Sequence, residues 1–225
     1  MSLVVLAHGT GNPSGPRTVE AVAARVRLRL PGVPVRTAYA ELQRPSLTTV
    51  LAESPPDTVV VPLPCAHDVA LRLDAADLVP AAPAPDRLLA ELMRTRLLAA
   101  GARPGHPVVL VAAGSHHAAT QGDSVRVAQL LEQVWRGPVR AAHLAGRGRR
   151  MAEVAADFRS HRLATPAVAP YLVAPGHFHA KAREDARALG LDLVADVLGD
   201  HPHVAETVAR RYRAAVAHRF ALSLA

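Results

Sequence analysis

The sequence predicts an α/β protein of two similar lobes, each a parallel β-sheet flanked by helices. Short runs rich in valine and leucine alternate with longer amphipathic segments along the 225 residues, which is the pattern of successive βα units. The units that start near residue 3 are repeated from residue 107, with matching segments in the same order, as in an internal duplication. Half of the residues are hydrophobic, so the chain has enough apolar side chain for a substantial core.

The first copy is predicted to contain three strands and three helices. The strands are Leu3–Ala7, Val33–Tyr39 and Thr58–Leu63, and the helices are Arg17–Leu30, Ser46–Glu53 and Asp86–Ala100. The segment 79–85, VPAAPAP, is too rich in proline for a helix and is predicted to be a surface connection.

The second copy is predicted to contain four strands and four helices. The strands are Pro107–Ala112, Val139–His143, Ala167–Leu172 and Leu191–Ala195, and the helices are Ser124–Trp135, Arg149–Ser160, Ala180–Leu189 and His203–Phe220. The Gly/Pro-rich stretch 99–107 is predicted to be the linker. The predicted lobes are therefore 1–103 and 104–225.

Ligands of open parallel sheets bind at the carboxyl ends of the strands, so the residues just after each strand are the candidates for chemistry. His8 follows the first strand and starts a Gly-rich turn, and Glu41 follows the second strand. In the second copy these positions align with Ala113 and Ala145. The duplication therefore predicts one asymmetric site, centred on the first lobe and facing a cleft between the lobes.

Further candidate ligands follow the third strand of each copy. They are Cys65, His67 and Asp68 in the first copy and His177 and His179 in the second, with His116 and His117 in another loop. Imidazole with carboxylate suits a borderline divalent metal such as cobalt, nickel, iron or zinc. The alternatives are that His8 only satisfies a neighbouring backbone group, that Glu41 only stabilises a helix start, and that the adjacent loop histidines are solvated.

The charge balance predicts an anionic partner. Lysine and arginine outnumber aspartate and glutamate by 26 to 19, which gives a net charge of +7, and positive charge speeds association with anions. Aromatic residues make up only 3% of the chain, which argues against a base-stacking surface and hence against nucleic acid as the partner. The alternative is that the arginines are ordinary solvated surface.

The sequence also bears on compartment and assembly. It has no apolar run of the roughly 20 residues that a membrane helix needs, and it enters a strand at Leu3 without a basic leader. Cys65 is the single cysteine, which excludes an internal disulfide. We expect a cytoplasmic protein, a monomer or homodimer, that binds neither membrane nor nucleic acid.

The ordered motifs resemble a known family. LVVLAHGTGNPSG, AYAELQRPSL, VVVPL, AAGS, PYLVAPGHFH and VADVLGDHP are similar to segments of the long sirohydrochlorin chelatases of the CbiX/SirB type, over nearly the whole chain and in both halves. The resemblance implies a two-lobed class II chelatase fold. It also implies insertion of Co²⁺, Fe²⁺ or Ni²⁺ into sirohydrochlorin, a polycarboxylate tetrapyrrole, with the metal as a substrate and no permanently bound cofactor.

The resemblance also implies roles for individual residues. His8 matches the family's metal ligand and proton acceptor, and Glu41 matches the acidic residue that assists proton removal. The family's second histidine, in a motif similar to PLLLxxGYHxRxD, aligns with Ala70, although Arg72 and Asp74 agree.

The departure at Ala70 leaves the second metal ligand open among His67, His177 and His179. A further alternative is a site in which His8 is the only imidazole. The turn residues beside these positions are the expected substrate contacts, namely Gly9, Thr10, Ser115, Pro175 and Gly176. Because a ligand of the family pattern is missing, the alternative function is a non-catalytic tetrapyrrole- or metal-binding homologue, such as a carrier.

Overall fold

The computed structural model describes residues 1–64, 86–114 and 118–223. Over these residues the order of elements is β1 (Leu3–Ala7), α1 (Ser14–Arg29), β2 (Val35–Tyr39), α2 (Leu47–Ala52), β3 (Val59–Pro62), α3 (Arg87–Ala99), β4 (Val108–Ala112), α4 (Ala118–Trp135), β5 (Val139–His143), α5 (Met151–Ser160), β6 (Ala167–Pro170), α6 (His177–Ala188) and α7 (Pro202–Ser223). Strands and helices alternate through almost the whole described chain, as predicted. None of the helices in these ranges is long and apolar enough to cross a membrane.

The described residues form two compact units, 1–64 with 200–223, and 86–114 with 118–199. The first unit contains a parallel sheet in the order β2-β1-β3. All five residues of the central strand β1 are buried, which explains its unbroken Leu/Val sequence, since a strand inside a covered parallel sheet is apolar on both faces. Helix α2 packs on β2, and α7 packs on both α1 and β3.

The second unit contains a parallel sheet in the order β5-β4-β6. Its central strand β4 is likewise entirely buried, and β5 shares the burial pattern of β2. Leu3 pairs with Val35 in one sheet as Val108 pairs with Val139 in the other. The fold prediction of two similar α/β lobes is therefore confirmed, with a three-stranded sheet in each.

The division into units differs from the predicted lobes because of the closing helices, which are the last helix of each copy, α3 and α7. Each of them packs on the sheet of the other copy. The predicted boundary at 103/104 falls inside the second unit. Helix α3 packs on α4 and β6, and the indole of Trp135 donates to the backbone carbonyl of His106, at 2.8 Å, within the predicted linker. Helix α7 instead packs on α1, where Arg29 and Glu206 form an ion pair of 3.3 Å.

The segment predicted as a strand at Leu191–Ala195 forms a single parallel bridge, Val168 to Val194. The Val168 amide donates to Leu193 at 2.8 Å, and the Ala195 amide donates to Val168 at 2.9 Å. The Val194 amide turns back to the carbonyl of Asp192, at 3.2 Å. The pairing of this segment with β6 is therefore a single bridge and not a further strand of the sheet.

Several helices begin earlier than predicted. Helix α1 starts at Ser14, before Pro16, because a proline in the first turn lacks only an amide that would have no helical partner. Helices α4 and α6 start at Ala118 and His177. The predicted connection at 79–85 lies outside the described residues.

Candidate active site

A histidine and a glutamate meet at the carboxyl edge of the first sheet. His8 directly follows β1, and Glu41 lies two residues beyond β2. Because β1 and β2 are parallel neighbours, both chain segments leave the sheet at the same edge. The His8 Nε2 atom lies 4.0 Å from the Glu41 Oε2 atom, and the two side chains are 31% and 52% exposed. The pair is therefore accessible from solvent.

Backbone pairing beyond the two strands fixes this geometry. The Ala40 amide donates to the Ala7 carbonyl at 2.9 Å, and the Glu41 amide donates to the His8 carbonyl at 3.0 Å. Gly9 has a φ of +100°, and a β-carbon there would lie 3.0 Å from the Glu41 carbonyl carbon and closer still to its oxygen. A glycine is required where two backbones approach so closely.

The Gln43 side chain ties together the two loops that carry the pair. Its Nε2 atom donates to the Thr10 carbonyl at 2.6 Å, and its Oε1 atom accepts from the Thr10 amide at 3.4 Å. The side-chain amide of Gln43 therefore hydrogen-bonds both the backbone N–H and the backbone carbonyl of Thr10. After this loop, the Ser46 hydroxyl accepts from the Thr49 amide at 3.2 Å and caps the start of α2. The segment between β2 and α2 is consequently held at both ends.

The second unit repeats this backbone without the titratable groups. The Ala145 amide donates to the Ala113 carbonyl at 2.8 Å, as Glu41 does to His8. Gly114 has a φ of +93°, and its β-carbon would lie 2.9 Å from the Ala145 carbonyl carbon. The two alanines therefore occupy the positions of His8 and Glu41. This equivalence supports the asymmetry that the aligned sequences predict.

The two histidines predicted in the second lobe have different environments. His177 begins α6 and is exposed, whereas the His179 side chain is only 13% exposed. The His179 Nε2 atom lies 4.0 Å from the Asp196 Oδ1 atom. Burial lowers the pKa of His179, Asp196 opposes that shift and Arg183 adds to it. Burial therefore disfavours the protonated, cationic form of this imidazole.

Other candidates can be located only in part. Pro175 and Gly176 are half-buried and directly precede α6, and Gly9 and Thr10 lie beside His8 in the first unit. His67, Cys65, Asp68, Ala70, Ser115, His116 and His117 lie outside the described residues. Within the described ranges, no group of three or more His, Cys, Asp or Glu side chains could hold a metal ion. In the part of the chain that the structure describes, the His8 imidazole and the Glu41 carboxylate are therefore a pair of possible metal ligands and not a complete metal site.

Sequence reasoning missed a buried pair in the second unit. The Nε2 atom of His143, the last residue of β5, lies 2.7 Å from the Ser124 hydroxyl, and both side chains are buried. Burial lowers the pKa of His143, and the nearby Arg150 lowers it further. This histidine satisfies a core hydroxyl and has no access to a ligand. The one feature of the sequence that could have indicated this pair is that the second copy has His143 where the aligned strand of the first copy has Tyr39.

Two parallel three-stranded sheets, with a histidine–carboxylate pair at the carboxyl edge of the first, define a protein of the chelatase-like fold class. The sequence model of the CbiX family matches residues 2–65 and 107–215, which is well over half of the chain. The chain belongs to the CbiX family. The predicted resemblance is thereby confirmed.

Solved structures agree with this assignment of the fold. SirB from Bacillus subtilis with Fe³⁺ has a TM-score of 0.69 and 21% identity, over 98% of each chain. The sirohydrochlorin chelatase SirB from Bacillus subtilis subspecies spizizenii in complex with cobalt has a TM-score of 0.69 and 19% identity, over 96% of this chain and 95% of that one.

A third similar structure is larger. It is a multi-domain protein from Deinococcus radiodurans with structural similarity to chelatases and two additional novel domains. Its TM-score is 0.61 at 20% identity, over 92% of this chain and 53% of that one. No curated protein matches the sequence.

Proposed function

We propose that this protein is a sirohydrochlorin chelatase, which inserts Co²⁺, Fe²⁺ or Ni²⁺ into the polycarboxylate tetrapyrrole. The observation that carries the proposal is the exposed His8–Glu41 pair at the sheet edge, in a chain of the CbiX family. Its structural relatives include a sirohydrochlorin chelatase in complex with cobalt and a SirB with Fe³⁺. The metal is a substrate in this reaction, and no permanently bound cofactor is proposed.

Metal insertion requires a loosely held metal ion and a base for the pyrrole N–H protons. The Nδ1 atom of His8 is buried and its Nε2 atom lies beside Glu41, so Nε2 is the nitrogen proposed to bind the incoming ion. Insertion of a divalent ion replaces two pyrrole N–H protons with bonds to the metal. The Glu41 carboxylate would accept one of them, and the second would pass to the solvent to which the pair is exposed. An ion held by so few protein donors would keep exchangeable positions for the tetrapyrrole nitrogens.

The second protein ligand is proposed to be His67, with His177 or His179 as the alternative. His67 lies three residues before Ala70, the position of the family's second histidine. If His67 is the ligand, His67→Ala should weaken Co²⁺ binding about as much as His8→Ala, with the second-lobe variants nearly silent. The reverse pattern would assign the ligand to the second lobe.

The charge of the protein supports a polycarboxylate substrate. The net charge of +7 raises the local concentration of anions. Arginine side chains can hold carboxylates through paired N–H donors. Gly9, Thr10, Ser115, Pro175 and Gly176 are the proposed contacts in the turns.

The decisive measurement is the rate of Co²⁺ insertion into sirohydrochlorin, followed by absorbance with and without protein. His8→Ala should remove most of the acceleration, and Glu41→Gln should lower the rate by about 100-fold, which is typical of losing a general base. His218→Ala, at an exposed histidine of α7, is the matched control and should be silent. A wild-type rate for His8→Ala at limiting metal would refute the site.

The second candidate function is a non-catalytic tetrapyrrole- or metal-binding protein, such as a carrier. The observation that favours it is Ala70 at the position of the family's second histidine. A carrier would bind sirohydrochlorin or Co²⁺ without accelerating metalation over buffer. The absorbance assay therefore separates the two functions in a single experiment.

A further inference from the structure

Leu42, which directly follows Glu41, combines two unfavourable features. Its backbone has a φ of +63°, the left-handed region, where a residue with a β-carbon is sterically disfavoured. It is also 78% exposed to solvent. Glycine or asparagine would adopt this conformation more easily. Residues held in such conformations cluster at functional sites, so the leucine side chain calls for a functional explanation.

The surrounding contacts hold Leu42 in this conformation. The Gln43 amide donates to the Glu41 carbonyl at 2.7 Å, and the Tyr39 amide donates to the Pro45 carbonyl at 3.0 Å. The Gln43 side chain is in turn fixed to Thr10. The backbone on both sides of Leu42 is therefore constrained, and its exposed side chain belongs to the residue that directly follows Glu41.

Few other large apolar side chains are exposed in the described residues. They are Met1, Leu28, Leu98, Val125 and Leu163. Leu42 is the one that follows a strand at the carboxyl edge of the first sheet. Leu28 is 82% exposed but lies near the end of α1, which returns to the opposite edge so that β2 can run parallel to β1. Among the exposed large apolar residues of the described ranges, Leu42 is thus the one that lies beside the candidate site in the chain.

We propose that Leu42 is a substrate-binding residue that packs against the apolar ring face of the tetrapyrrole. The proposal rests on the proposed function and deepens it. A tetrapyrrole carries its charge on peripheral carboxylates and presents a flat apolar face, which the polar groups of His8, Glu41 and Gln43 cannot complement. An exposed leucine in the same loop as the Glu41 carboxylate can cover that face while the pyrrole N–H groups meet the base.

The test compares Leu42→Asn and Leu42→Gly with Leu28→Asn, an equally exposed leucine at the other edge. Equilibrium titration of the protein with metal-free sirohydrochlorin gives the affinity, and steady-state Co²⁺ insertion gives kcat and KM. Both Leu42 variants should raise Kd and KM about tenfold, the effect of losing one buried leucine contact. The kcat and the affinity for Co²⁺ alone should change less than about twofold, and Leu28→Asn should be silent.

Thermal unfolding separates binding from structure. Both replacements relieve the left-handed backbone, so their Tm should rise or stay level while substrate affinity falls. An affinity for sirohydrochlorin equal to that of the wild type in both Leu42 variants would overturn the inference and leave the chelatase proposal standing. A wild-type protein that binds no sirohydrochlorin would overturn both.

Discussion

Replacing Gly9 by alanine should disable the site, whereas the same change at Gly114 should not. Both glycines have positive φ values, of +100° and +93°, and both lie against the backbone carbonyl of the neighbouring loop. The added β-carbon would lie 3.0 Å from the carbonyl carbon of Glu41 in one case and 2.9 Å from that of Ala145 in the other. The two substitutions therefore impose nearly the same steric conflict, but only one conflict involves a residue of the candidate site.

The magnitude follows from two terms. Holding alanine in a left-handed conformation costs about 1–2 kcal/mol, and moving a packed carbonyl away from the new methyl costs about 1–3 kcal/mol. We expect each variant to lose about 2–5 kcal/mol of unfolding free energy, less than many domains possess. In Gly9→Ala the carbonyl that must move belongs to Glu41, which is tied to His8. A displacement of about 1 Å in a catalytic group can lower a rate about 100-fold.

The assay is urea denaturation of both variants, followed by Co²⁺ insertion into sirohydrochlorin at a temperature where both remain folded. Gly9→Ala should lower the insertion rate about 100-fold and Gly114→Ala less than about threefold, with similar losses of stability. Equal losses of rate in the two variants would refute the assignment of the chemistry to the first unit. Unchanged stability in both would refute the steric argument itself.

Three further results are expected. Because burial lowers the pKa of His143 below its ordinary value, the folded protein binds fewer protons there than the unfolded chain, so unfolding free energy should fall as pH drops below about 6.5. That slope should be shallower in His143→Gln, and an unchanged slope would remove His143 as its cause. Gln43→Ala removes both hydrogen bonds to Thr10 and should lower kcat for insertion more than it changes Co²⁺ affinity. An unaltered kcat would show that these hydrogen bonds are not needed to position the two loops. The KM for sirohydrochlorin should rise with ionic strength, since exposed charges are screened within about 8 Å at physiological salt. A constant KM would show that the arginines do not attract the substrate and are ordinary solvated surface residues.

The sequence predicted the three strands of each sheet, because buried parallel strands have a local pattern. An unbroken run such as Leu3–Ala7 is apolar on both sides, which suits a strand buried in a parallel sheet. Parallel strands end at a common edge, so His8 and Glu41 could be brought together from the order of elements alone. The distance of 4.0 Å between them agrees with that reasoning. The aligned copies likewise showed which unit lacks the titratable pair.

Tertiary packing decided the features that depend on residues far apart in the chain. The closing helices α3 and α7 pack on the sheet of the other copy, which no local pattern of either helix reveals. The pairing of Gln43 with Thr10, the hydrogen bond between His143 and Ser124 and the left-handed backbone of Leu42 are set by neighbours across the fold. Periodicity reports which residues are apolar, but their partners are chosen by the packing of whole elements, since burial is non-directional and many pairings would satisfy it.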